Sequence, residues 1–84
     1  MSYAVVIESG AARDIRRLPP GVRERVIRAA HALANDPRPP GCLKLQGRGN
    51  QYRIRVGDYR VIYEIEDEVL IVLVVEVGRR DRIY

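Results

Sequence analysis

The chain has 84 residues, with 15 Lys and Arg against 11 Asp and Glu for a net charge of +4, which is enough for one domain on one small core. A single cysteine, Cys42, excludes an internal disulfide framework and any multi-cysteine metal site, and suits a reducing compartment. The longest apolar run, Val69 to Val75, falls short of the roughly 20 residues a membrane helix needs, and the N-terminus lacks a basic-then-apolar signal pattern. These features predict one domain over residues 1–84, cytoplasmic, with no membrane partner, metal or cofactor.

In chain order, Tyr3 to Glu8 alternates Val5 and Ile7 against Ala4 and Val6 and predicts a first strand, ended by Ser9-Gly10. Ala11, Ile15 and Leu18 then fall on one helical face, with Arg13, Asp14, Arg16 and Arg17 outside it, and Pro19-Pro20 stops that helix. Pro20 suits the first position of a second helix, whose stripe of Val22, Val26, Ala30 and Leu33 runs out at Asn35-Asp36-Pro37. Asp36 to Cys42 is a stiff connection, Leu43 to Leu45 can begin the next strand, and Gln46 to Asn50 is a turn. Gln51 to Val56 and Tyr59 to Ile65 each alternate with the period of a half-buried strand around Gly57-Asp58, the spelling of a β-hairpin. After the Glu66-Asp67-Glu68 turn, Val69 to Val77 predicts a strand buried on both faces in the middle of the sheet. The order β-α-α-β-β-β gives an α+β domain, a mostly antiparallel twisted sheet with a helical hairpin on one face and a wet, basic face on the other.

The hairpin carries the functional signal. With Gly57-Asp58 as the loop, Arg55 faces Arg60 and Arg53 faces Ile62, so three guanidinium groups share a surface and two are directly opposed. Opposed like charges destabilise a sheet. Two readings stand: arginines simply solvated on a polar face, or a site kept for an anion, for which a phosphodiester suits the forked Arg geometry. Charge is also sorted along the chain: Lys44 to Arg60 holds five bases and one acid, Arg79 to Arg82 three and one, and Glu64 to Glu76 five acids and no base. Such a field steers phosphate-rich ligands. Lys44, Arg48, Arg79 and Arg82 are candidates for general attraction of an RNA backbone, and Tyr84 for stacking on a base or bonding a phosphate. His31, the lone histidine, lies in the second helix beside its apolar stripe and is read as a half-exposed surface residue.

The string Tyr52-Arg53-Ile54-Arg55-Val56-Gly57-Asp58-Tyr59-Arg60-Val61-Ile62-Tyr63, followed by Val77-Gly78-Arg79-Arg80 and a closing Ile83-Tyr84, resembles the RelE/ParE superfamily of toxins from toxin–antitoxin pairs. Ala11 to Pro19, Asp36 to Pro39 and Lys44 to Gly47 add to the likeness, which spans nearly the whole chain. The resemblance implies the RelE branch: a ribosome-dependent endonuclease that cuts mRNA in the ribosomal A site beside rRNA, held inactive by a cognate antitoxin. The alternative it leaves open is a ParE-like toxin that poisons DNA gyrase without cutting RNA, a branch that generally lacks the basic cluster.

On this reading the catalytic set is Arg53, Arg55, Arg60, Arg80 and Tyr84, acting without metal, and the 2′-hydroxyl of the target nucleotide attacks the adjacent phosphate to leave a 2′,3′-cyclic phosphate. Arg55 and Arg60 stabilise the five-coordinate phosphate, Arg53 positions the backbone and Arg80 assists the leaving oxygen. The proton acceptor is the gap. The family can carry lysines on this strand, whereas arginine stays protonated, which leaves Tyr84, its ionisation favoured by cations around it, or a weak base aided by the ribosome's alignment of the RNA.

Overall fold

The computed structural model describes residues 2–47 and 49–79. Its elements are β1 (Ala4–Ile7), α1 (Ser9–Arg16), α2 (Pro20–Ala32), β2 (Leu43–Lys44), β3 (Gln51–Val56), β4 (Tyr59–Glu66) and β5 (Ile71–Arg79). The strands form one sheet in the order β1-β5-β4-β3-β2, parallel only between β1 and β5. The predicted α+β arrangement, with both helices on one face, is what forms. The two-residue β2 adds a fifth strand.

The helices are built from the predicted stripes. Ala11 and Ile15 on α1, Leu18 just after it, Val26 and Ala30 on α2 and Leu33 just after it are all buried, against Ile54, Val56, Val61, Tyr63, Ile65, Val72, Val74 and Val77 of the sheet. Ser9 and Gly10 open α1 rather than merely ending the strand. At the other end of α1, Arg23 from the first turn of α2 donates to the carbonyls of Leu18 (3.1 Å) and Arg16 (3.4 Å). A cation there answers the unbonded carbonyls and negative pole of the helix end, so it clamps the helical hairpin.

Two strand expectations are corrected. The final strand begins at Ile71, because Asp67–Leu70 forms a turn in which Leu70 takes the left-handed conformation (φ 56°). That conformation costs a non-glycine residue about 1 kcal/mol, and with no glycine to mark it the boundary was hidden. Burial on both faces belongs to β4 at Val61, Ile62 and Tyr63, since β4 is the middle strand and β5 lies between it and the short edge strand β1.

A polar network fastens the 36–42 connection across the sheet end. Arg38 binds Asp67 through two hydrogen bonds (2.9 and 3.2 Å), donates to the Tyr52 hydroxyl (3.3 Å) and stands over the Tyr52 ring. Tyr3 donates to the same carboxylate (2.7 Å). These donors, Arg38 first and Tyr3 second, hold Asp67 down from the usual 3.8 to about 2. A folded-state pKa below the unfolded one gives stability that is present above the ordinary carboxylate range and is lost as pH falls from about 4 toward 2. Thermal melts at pH 6 and pH 2.5 therefore lose less in Asp67→Asn than in the wild-type chain; equal losses would place the acid sensitivity elsewhere.

Candidate functional site

The hairpin has the register its alternation predicts: Val56 opposite Tyr59, Arg55 opposite Arg60, Ile54 opposite Val61 and Arg53 opposite Ile62. Gly57 has φ +60° and Asp58 is not among the positive-φ residues, the signature of a two-residue type II′ turn that needs glycine first. A Cβ on Gly57 would also lie 3.1 Å from the Arg25 guanidinium of α2, so the tip is closed in on its helix side.

Directly opposite residues share a face, so the registers lay out the face turned away from the helices as a grid. One row runs Leu43, Arg53, Ile62, Glu76 from β2 to β5; the next runs Arg55, Arg60, Gly78. Arg53, Arg55 and Arg60 are thus brought together, as expected. Their exposure differs: Arg55 is exposed, Arg60 half-buried, and Arg53 only 8% exposed. Ile62 at the centre of the grid is fully buried, ringed on that face by Arg53, Arg60, Glu64 and Glu76. The face expected to be wet is dry in the middle. Arg53 takes part in none of the ion pairs or side-chain hydrogen bonds among the described residues, and its Nε is buried without an acceptor. A buried guanidinium left without an acceptor carries a desolvation cost that a hydrogen-bonding anion would offset.

Two candidates fall away from this cluster. Lys44 lies opposite Tyr52, on the helix side of the sheet at its edge, because Leu43 and not Lys44 is in step with Arg53. Arg79 lies opposite Tyr59, again on the helix side, bordering a cavity of about 380 Å³ beside Arg17 and Asp14. One residue of alternation separates each from the basic face, and a strand boundary uncertain by one residue hides it. Arg48, Arg80, Arg82 and Tyr84 lie outside the described residues. His31 is exposed on α2, away from the grid. Among the described residues no three His, Cys, Asp or Glu side chains are grouped to hold a metal ion, and no helix is long and apolar enough to cross a membrane.

A second feature was not read from the sequence. A groove of about 630 Å³ lies between Ala29, Ala32 and Leu33 at the C-terminal end of α2, Pro39 and Pro40 of the connection, and β3. Leu45 donates to the Gln51 carbonyl (2.9 Å), so by alternation the backbone groups of Gln51, Arg53 and Arg55 point away from β4. The short β2 ends its pairing at Arg53, which leaves the Arg55 backbone on an open edge. The small residues Ala29 and Ala32 beside Pro39-Pro40-Gly41 were the available signal.

Residues 5–84 match the family described as the ParE toxin of type II toxin–antitoxin systems, parDE. The chain belongs to the RelE/ParE toxin superfamily. It is 31% identical to the mRNA interferase toxin RelE of Escherichia coli K12 over 84 residues, 98% of this chain and 87% of the relative. To the toxin RelG of Mycobacterium tuberculosis it is 32% identical, covering 100% and 98% of the two. The archaeal RelE–RelB complex of Pyrococcus horikoshii OT3 superposes with a TM-score of 0.85 at 30% identity, over 99% of this chain and 100% of that one. In this RelE/ParE chain the sheet presents three arginines on one face, with a carboxylate, Glu76, at the end of the row that holds Arg53.

Proposed function

We propose that the chain is the toxin of a type II toxin–antitoxin pair and an endoribonuclease that cuts mRNA in the ribosomal A site, in contact with rRNA, by attack of a ribose 2′-hydroxyl on the adjacent phosphate. The single observation that carries this is the row geometry: Arg55 and Arg60 directly opposed, with the buried Arg53 on the neighbouring row of the same face. Two guanidinium forks opposed across a strand pair can grip one phosphate from both sides. The relatives named mRNA interferase RelE point the same way. Arg55 and Arg60 stabilise the five-coordinate phosphate and Arg53 holds the backbone; Arg80 assists the leaving oxygen and Tyr84 stacks on or orients the nucleotide. Lys44, Arg79, Arg48 and Arg82 act as peripheral attraction, Lys44 and Arg79 from the other side of the sheet.

A cognate antitoxin is the protein partner, as the RelE–RelB complexes among the structural relatives suggest. The groove beside α2 suits it: apolar walls take an antitoxin's apolar side chains, and the open Arg55 backbone offers a strand-like partner two hydrogen bonds.

The test is primer extension on a defined mRNA, with and without ribosomes, followed by end-group analysis. Cleavage in phase with codons, only on ribosomes, and ending in a cyclic phosphate is the expected result. Intact mRNA together with inhibited gyrase would replace this reading with the ParE-like one.

A further inference from the structure

We propose that Glu76 is the proton acceptor that activates the attacking 2′-hydroxyl, an inference that rests on the nuclease reading above. Three arginines bind and stabilise phosphate but cannot take a proton at working pH. The chain's one lysine, Lys44, is on the other side of the sheet. Three carboxylates share the arginine face by register: Glu64, Glu66 and Glu76. Glu64 accepts from Gln51 Nε2 (3.0 Å) and Glu66 from Asn50 Nδ2 (2.8 Å), so both are occupied and lie toward the far end of β4. Glu76 is half-exposed, and no described side chain donates to it.

A sheet irregularity puts Glu76 there. Tyr63 pairs with Val74 and Ile62 with Glu76, leaving Val75 as an extra residue on β5. Without that bulge Glu76 would oppose Val61 and point into the core, and Val77 would face outward, because a slip of one residue exchanges the faces of a strand. Bulges re-aim side chains in this way beside functional sites. The same irregularity that buries Val77 turns a carboxylate onto the arginine face.

The placement fits the reaction. Glu76 is next but one to Arg53 along its row, about 10 Å between backbones at about 4.8 Å per strand, with the buried Ile62 between them, so a nucleotide would lie over Ile62 with Arg53 at one end and the carboxylate at the other. It is diagonal to Arg60, and the position opposite Arg60 is Gly78, which has no side chain to fill the space. In the step, the Glu76 carboxylate takes the 2′-hydroxyl proton as the O2′–P bond forms. The P–O5′ bond breaks, water protonates the leaving 5′-oxygen, and Glu76 returns its proton to solvent. The charged groups around it are Arg60 and Glu64 on β4, Arg53 and Arg55 on β3, and Asp14, Arg17 and Arg79 around the cavity at the β5 edge, which Glu76 also lines.

The test uses the whole chain on ribosomes carrying a synthetic mRNA, in single-turnover cleavage with ribosome binding measured beside it. Glu76→Gln is expected to slow cleavage by about 10²-fold or more, the usual scale for a lost general base, and to bind the ribosome as tightly as wild type or tighter, since it removes a negative charge. Glu76→Asp keeps a carboxylate and partly restores the rate. A Glu76→Gln chain that cuts within about threefold of wild type overturns the proposal while leaving the nuclease reading intact. A wild-type chain that cuts nothing overturns both.

Discussion

Arg60→Ala is expected to lower cleavage on ribosomes by about 10²–10³-fold, the effect of removing one well-placed donor to a developing oxyanion, or about 3–4 kcal/mol. Growth arrest on induced expression should vanish with it. The chain should still fold, because Arg60 is half-buried on the sheet face turned away from the helices and the hydrophobic core lies on the other face. Arg60→Lys sharpens the test: a lysine keeps the charge and loses the fork, so an intermediate rate is expected if bidentate contact matters. Circular dichroism and thermal melts run beside the cleavage assay separate a lost phosphate donor from a lost fold. Full activity in Arg60→Ala would remove the phosphate clamp from the account, and Arg55 with it.

The parts of the site legible in the sequence are those governed by local rules. Gly57-Asp58 between two alternating runs fixes a two-residue loop, and the loop fixes every cross-strand pair of the hairpin, so Arg55 against Arg60 follows from spacing alone. The helical stripes were legible for the same reason, since Ala11, Ile15 and Leu18, and Val26, Ala30 and Leu33, repeat at helical intervals. What escaped depends on non-local pairing. The bulge at Val75 cannot be seen in an almost continuous β-branched run, because Val74, Val75 and Val77 are equally good on either face; only the pairing with β4 decides which faces the core. Glu76 escaped with it, read as one more acid in an acidic stretch. That Lys44 and Arg79 stand on the helix side of the sheet is likewise visible only in the pairing registers, which continue the last strand through Gly78 to Arg79. The burial of Arg53 escaped because it depends on what surrounds the middle of the sheet rather than on its own strand.

The molecule divides its work between two faces. The helix side holds the apolar core, and the 36–42 connection is fastened at the sheet end by side chains instead of being packed over the arginine face. Arg38, Asp67, Tyr3 and Tyr52 form one half of that fastening and Tyr63 the other. The same connection supplies Pro39 and Pro40 to the groove wall, so a stiff attachment also keeps the groove open.

Tyr63→Ala should then be the most destabilising single change in the middle strand. Tyr63 is completely buried on β4, its ring stacks on Tyr52 at 6.0 Å between centroids and 24° between planes, and its hydroxyl donates to the Pro37 carbonyl at 2.8 Å. Burial, and then the Cys42 thiol beside it, push the phenol well above its ordinary range, so it remains a donor at any working pH. Removing the ring forfeits about 3–5 kcal/mol by analogy with other large aromatic truncations, and it leaves the buried Pro37 carbonyl unbonded. A domain of this size has roughly 4–13 kcal/mol in total at ordinary stability per residue, so the expected loss in Tm is about 12–40 °C at about 4–8 °C per kcal/mol. Tyr63→Phe isolates the hydroxyl. It keeps the stack, loses about 1 kcal/mol, and should lower Tm by about 4–8 °C while making the 36–42 connection more open to proteolysis. If Tyr63→Phe melts with the wild-type chain and its connection is cut no faster, the hydroxyl is not what fastens that segment, and the groove wall is held by Arg38 and Asp67 alone.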